Sequence, residues 1–165
     1  MKITMEMARA WGACSSGVDW FGKNFPDGGE YQTVLDALAE ADQPSWASWL
    51  MSKAGADTEA VLELESVSER KHLFFAGSIV VKVGISVSGC LLAGWGIEAG
   101  DGIKAGWGIG AGWGIKAGDG IKAGSGMGIF AGLRVRLTMW AQYAIVTAKT
   151  KPENLISGHW VKAKK

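Results

Sequence analysis

The chain has 165 residues with 17 basic and 16 acidic side chains, a net charge of +1, and 48% hydrophobic residues. That balance argues against a nucleic-acid mimic and against a strongly basic binder, and the length allows one compact domain or a small cap on a solenoid. Cys14 and Cys90 lie far apart in the sequence, which suits free thiols in a reducing compartment.

Residues 1–55 read as four short helices. Residues 1–13 mix charges and lack a continuous apolar run, so no signal peptide is read there and a cytoplasmic setting is expected. Thr4 can cap a first helix with Met7, Ala8 and Trp11 on one side. Gly12 and Ser15-Ser16-Gly17 end it. A second, over about 18–24, carries Trp20 and Phe21 and runs into the turn Pro26-Asp27-Gly28-Gly29. Residues 30–41 give the clearest amphipathic pattern, with Tyr31, Val34, Leu35, Leu38 and Ala41 at helical spacing. Asp42-Gln43-Pro44 closes that helix, and Ser45 caps a fourth bearing Trp46, Trp49 and Leu50.

From 56 onward the composition changes. Residues 1–56 hold 4 basic and 7 acidic side chains, whereas 57–165 hold 13 and 9. Alternation in Val61–Ser68 argues for a strand. Residues 73–97 contain a single charge, Lys82, over a length that could span a membrane. Its β-branched alternation and glycines argue for strands instead, and Glu98, Asp101 and Lys104 just beyond make a membrane helix there costly.

Residues 93–128 explain that alternation. They are two copies of one 18-residue phrase, identical at 15 of 18 positions, and each copy is three hexads of the form A-G-x-G-I-x. Ile97, Ile103, Ile109, Ile115, Ile121 and Met127 recur every six residues. A hexad can form one face of a triangular coil, so three hexads make one turn of a parallel β-helix, with like residues stacked about 4.8 Å apart. The frame places Trp95 over Trp113, Asp101 over Asp119, Lys104 over Lys122, and Trp107 over Ser125. Ile and Ala point inward, the charged residue between them outward, and G-x-G makes the corner. Other hexapeptide-repeat helices wind left-handed, and the same hand is expected here by fold analogy.

Stepping back 18 residues lands on Ile79, Ile85 and Leu91, and once more on Val61, Val67 and Leu73. Stepping forward gives Leu133, Met139 and Ile145, and the frame fails after Thr147. The expected fold is therefore mixed. A helical bundle (1–55) covers the open end of a β-solenoid (56–165) whose regular coils run over 75–146. The last segment reads as a turn at Pro152, an apolar strand over 156–161, and a lysine-rich tail at Lys162, Lys164 and Lys165.

The residues carry little chemistry. His72 and His159 lack metal-ligand spacing, no C-x-x-C or G-x-S-x-G occurs, and Gly124-Ser125-Gly126 reads as a repeat corner. Hexapeptide-repeat helices often belong to acyltransferases, but those rely on a loop histidine, and 93–128 has neither loop nor histidine. No catalytic residue, metal or cofactor is expected. Trp95, Trp107 and Trp113 at solvent-facing corners, flanked by Lys104, Lys116 and Lys122, form the expected partner-binding site. The bland alternative is that terminal segments or neighbouring subunits cover the rings. A third possibility is stacking on single-stranded bases.

The combination A-C-x-x-G-x-x-W-F at 13–21, W-A-x-W-L at 46–50 and the G-W-G-I-[KE]-A-G tract resembles small accessory proteins of enterobacterial phages and prophages. What this resemblance implies is a setting, the cytoplasm of a bacterial host, and a role among inhibitors of bacterial defence, including anti-CRISPR proteins. The expected partner is then a host defence protein. Self-association of the solenoid, as a trimer or an end-to-end stack, is the structural alternative. Neither a membrane nor a nucleic acid is the favoured partner.

Overall fold

The computed structural model describes residues 1–124 and 126–164. The expected stacking of Ser125 on Trp107, the corner it belongs to, and Lys165 lie outside them. In chain order the elements are β1 (Lys2–Ile3), α1 (Met5–Ala10), α2 (Ser15–Asn24), β2 (Gly29–Glu30), α3 (Tyr31–Glu40) and α4 (Pro44–Ala54). Twelve short strands follow: β3 (Val61–Leu64), β4 (Val67–Arg70), β5 (Leu73–Phe75), β6 (Ser78–Val81), β7 (Ile85–Val87), β8 (Cys90–Ala93), β9 (Ile97–Ala99), β10 (Ile103–Ala105), β11 (Gly108–Ala111), β12 (Ile115–Ala117), β13 (Ile121–Ala123) and β14 (Gly128–Phe130). A 3-10 turn (Leu137–Met139) leads into α5 (Trp140–Tyr143), then β15 (Ile145–Ala148), β16 (Leu155–Ser157) and β17 (His159–Lys162).

The strands from β3 onward wind into a three-faced parallel β-solenoid. Face one is β3-β6-β9-β12-β15-β17, face two β4-β7-β10-β13, and face three β5-β8-β11-β14-β16. The 18-residue frame holds through the centre: Ile79 pairs with Ile97 and Ile97 with Ile115, while Ile103 pairs with both Ile85 and Ile121. These isoleucines are no more than 5% exposed, and Ala99, Ala105, Ala117 and Ala123 complete the interior beside them.

The two glycines of each G-x-G corner are not equivalent. A Cβ on the first would sit 1.9 Å from a carbonyl oxygen of the coil beneath at Gly100 and Gly106, and 1.8 Å at Gly118 and Gly124. No side chain fits there. At the second position the space varies with the level: a Cβ at Gly96 meets nothing nearer than 3.6 Å and one at Gly120 nothing within 4 Å, whereas one at Gly108 would sit 2.6 Å from Met127 Cβ.

Three departures occur where the repeat ends. On face one, Val61 pairs with Ser78 and Leu62 with Ile79, so Leu62 and Leu64 rather than Val61 line the interior, and Val61 is 51% exposed. With Val61 inside, Glu63 would face inward too; the slip turns Glu63 to water and brings Leu62 and Leu64 in. On face three, Ile129 takes the slot expected for Met127, which packs instead on the outside against the helices. Finally, 131–144 leaves the coil as an excursion containing α5. Leu133 and Met139, expected inside, are exposed, and Val146 rather than Ile145 resumes the stack above Ile115.

The final strands shorten the coil. Among the described residues face two receives no strand after β13, and 149–154 crosses its end, with Lys149 N–H donating to the Asp119 carbonyl and Asn154 Nδ2 to the Ala123 carbonyl. The expected 156–161 strand is two, β16 on face three and β17 on face one, divided at Gly158. In β17 the inward column of Val146 and Ala148 continues into Trp160 and Lys162.

The helical unit forms as expected within a few residues. Thr4 Oγ1 accepts from the Met7 N–H, and Pro44 starts α4 in place of the expected Ser45 cap. β1 and β2 form a small antiparallel pair across its base. Its seat is the outward side of face three: Phe74, Cys90 and Leu92, at positions whose side chains point away from the rod's interior, join Leu35, Leu38, Leu50 and Met51 in one core. The unit also covers one strand edge. Gln32 lies along β5 like a peptide unit, Nε2 donating to the Phe74 carbonyl and Oε1 accepting from the Ala76 N–H, 2.8 and 2.9 Å. The bundle therefore seals the edge of one face and leaves β3 and β4 open.

His72 fastens the same seam. It is buried, and its Nδ1 accepts from the Cys90 N–H at 2.9 Å, so Nε2 carries the hydrogen and donates to Asp42 Oδ1 at 2.7 Å. The hydrogen bond from Lys71, then that from His72, holds the Asp42 carboxyl below its ordinary range.

Candidate functional site

The corner glycines fix where the tryptophans stand. Trp95 and Trp113 share the corner between faces three and one, joined through the Trp113 N–H and the Trp95 carbonyl at 2.9 Å. Their rings stack with centroids 4.2 Å apart, 36° between planes. Tyr143, brought in by the 131–144 excursion, closes edge-on over Trp113 at 4.4 Å. Both tryptophans are half-buried, so at this corner a later segment of the chain covers part of the expected strip. Trp107 stands on a different corner, between faces two and three, and is 50% exposed.

The lysines divide likewise. Lys116 points outward from face one and pairs with Glu98 of the neighbouring coil. Lys104 and Lys122 are register partners on the outward side of face two. The six residues expected to form one site thus occupy three surfaces. Lys104 and Lys122, with Trp107 at the corner after β10, are the ones that remain on a single side of the rod.

That side is concave. The crossing segment 149–154 stands as a wall beside face two, and between them runs a groove of about 810 Å³ lined by Ser68, Ser86, Lys104, Lys122, Lys151 and Asn154, with Glu153 the one acid on the wall. Among the described residues Lys104, Lys122 and Lys151 take part in no ion pair; the paired surface lysines are Lys71, Lys82, Lys116 and Lys149. Stacked like charges without a partner acid repel, and an anionic group entering the groove relieves that repulsion. At the neighbouring corner Lys149 pairs with Asp119 above Asp101, and that hydrogen bond raises the Lys149 ammonium pKa.

Lys151 and the wall escaped the sequence reading because the six-residue frame stops at Thr147. Pro152, preceded by Lys149 and Lys151, was their only trace. Among the described residues no group of three or more His, Cys, Asp or Glu side chains is arranged to hold a metal ion, and no helix is long and apolar enough to cross a membrane.

On the helical unit, the A-C-x-x-G-x-x-W-F and W-A-x-W-L segments, 25 residues or more apart in sequence, fold against each other across α2 and α4, with Trp20 and Trp46 in edge contact at 6.1 Å. Residues 1–56 match the family model of the YdhT N-terminal domain. The YdhT-like region thus comprises all four helices, α1 to α4, and stops before the first solenoid strand. No curated protein and no solved structure matches the chain.

Proposed function

We propose that this protein is a non-enzymatic inhibitor, phage-encoded, that binds a bacterial defence protein through the basic groove on face two. The observation that carries the reading is the row of Lys104, Lys122 and Lys151, three cations without partner acids among the described residues, in one walled groove; Trp107 is exposed at the corner that follows β10. A rigid sheet needs no ordering on binding, so such a surface loses little conformational entropy when a partner docks. The arrangement suits an acidic protein segment, with Trp107 as the aromatic anchor that interface centres favour. The resemblance in the helical unit and the repeat tract supplies the phage setting.

Affinity capture from a bacterial host lysate tests this, beside an assay of phage restriction. The expected result is recovery of a defence component by the intact protein and relief of restriction on its expression. Both are lost in a Lys104→Glu, Lys122→Glu, Lys151→Glu variant with an unchanged circular dichroism spectrum. Recovery of no defence component, with restriction unaltered, removes the reading. Nucleic-acid binding through the same lysines is the second reading the groove favours, and it predicts a gel shift of single-stranded DNA that weakens steeply with salt.

A further inference from the structure

The helical unit contains a cavity of its own. It lies among α1, α2 and α4, with Val34 and Leu38 of α3 at its floor, while Gln32 of α3 reaches the solenoid. Its volume is about 260 Å³. The walls are Trp20, Phe21, Trp46, Trp49 and Leu50, drawn from the two motifs that lie together across α2 and α4, and no charged residue lines it. Its mouth is formed by Gly12, Ala13, Cys14 and Gly17. A Cβ added at Gly12 meets nothing within 4 Å, and one at Gly17 meets only Cys14 Sγ at 3.4 Å, so the opening is unobstructed.

Size and polarity define what fits. An apolar cavity of about 150 Å³ is enough to hold benzene, and drug-sized ligand sites begin near roughly 300 Å³. A space between these limits takes one ring or two fused rings. A charged group inside it would lose its hydration with no partner to replace it. Protein docking is disfavoured by what surrounds the mouth: the only large hydrophobic residue exposed in residues 1–56 is Met1, so the apolar surface is inside the cavity and not spread over a face.

We propose that this cavity is a binding site for a small uncharged aromatic molecule of one or two rings, packed against Trp20, Trp46 and Trp49, with Cys14 at its entrance. This site is separate from the face-two groove and stands or falls without it. Cys14 reports on occupancy. It is exposed, its Sγ lies 3.3 Å from Ser16 Oγ, and that hydrogen bond lowers the thiol pKa, whereas Cys90 is buried, with its pKa raised by burial. An alkylating reagent therefore labels Cys14 and spares Cys90.

The test is calorimetric titration of the full chain with indole, run beside the rate of Cys14 alkylation by iodoacetamide. The expected result is saturable one-to-one binding and a slowing of alkylation by roughly tenfold at the indole concentration that gives about 90% occupancy. Indole-3-acetate, which must bring a carboxylate, binds at least roughly tenfold more weakly. Gly17→Leu fills the mouth while replacing a helical glycine with a better helix former, and it abolishes indole binding. No saturable heat together with an unchanged alkylation rate overturns the proposal, as does undiminished binding in folded Gly17→Leu. If Gly17→Leu does not fold, protection of Cys14 in the unsubstituted protein decides alone. A tryptophan-bearing peptide binding far more tightly than indole also overturns it, since the cavity then receives a protein side chain.

Discussion

The helical unit and the solenoid bury apolar side chains by opposite rules. In the helices Phe21, Tyr31, Val34, Leu35, Leu38, Leu50 and Met51, residues of different size and shape, share one core without a repeat. In the rod one residue type repeats down a column, and each level touches only the levels above and below. What a position tolerates is set in the first case by the surrounding volume. In the second it is set by the backbone one coil away. The same substitution, glycine to alanine or isoleucine to alanine, should therefore have effects in the rod that depend on its place in the hexad.

The sharpest break is Gly118→Ala. A methyl group there would lie 1.8 Å from the Gly100 carbonyl oxygen, so the coil must separate, and the expected cost exceeds roughly 4 kcal/mol in chemical denaturation. A cost below about 1 kcal/mol would mean that the coils slide freely. Next come the two core truncations. Ile115→Ala and Leu35→Ala should each cost roughly 2–5 kcal/mol. Hydrogen exchange separates them, because the rod variant should lose protection mainly in β9, β12 and β15 and the helical variant throughout α3 and α4.

The seam between the two regions responds to pH at both extremes. Tyr31 donates from its hydroxyl to the Gly55 carbonyl at 3.0 Å, and burial pushes its pKa from 10.0 up to about 12. The folded state holds the proton more tightly than the unfolded chain, so this contribution is complete below pH 10 and is lost as pH rises toward 12. Tyr31→Phe should cost about 1 kcal/mol at neutral pH and flatten that alkaline decline in thermal melts. Asp42 acts in the reverse sense. Its carboxyl is held low by Lys71 and His72, so its share is present above the ordinary carboxylate range and fades as pH falls through the lowered value. Asp42→Asn should remove that acid dependence from the helical unit's melting and leave the rod's unchanged. The smallest effect has the opposite sign. Gly120→Ala, two residues beyond Gly118, meets nothing within 4 Å and should stabilise by about 0.4–1 kcal/mol.

The centre of the rod was legible because its period is written in residues that the geometry requires. The stacks Trp95 on Trp113, Asp101 beside Asp119 and Lys104 beside Lys122 follow directly from an 18-residue step. Legibility ended where two apolar residues competed for one slot. Met127 and Ile129 both suit the interior, and only the packing of Met127 against the helices decides between them. Leu133 and Met139 fell into the frame by coincidence, and no property of either residue shows that 131–144 leaves the coil. The seat of the helices did leave a mark. Phe74 and Leu92 stand at outward positions, and an apolar residue facing water in a β-solenoid is a signal of cover. Of the site, Lys104, Lys122 and Trp107 could be named from sequence, whereas the groove depends on a wall that has no repeat to announce it.

The strand β17 carries a bulky ring and an ammonium group, Trp160 and Lys162, in the column where valine and alanine stand one level earlier. A further strand laid on it, from another molecule, would have to cover that cation with aliphatic surface and no counter-charge. Rods of this kind can in principle lengthen without limit by templating their own edges, as amyloid does. On face one these two side chains oppose such growth. An engineer who replaced them with Val and Ala would be designing a fibre.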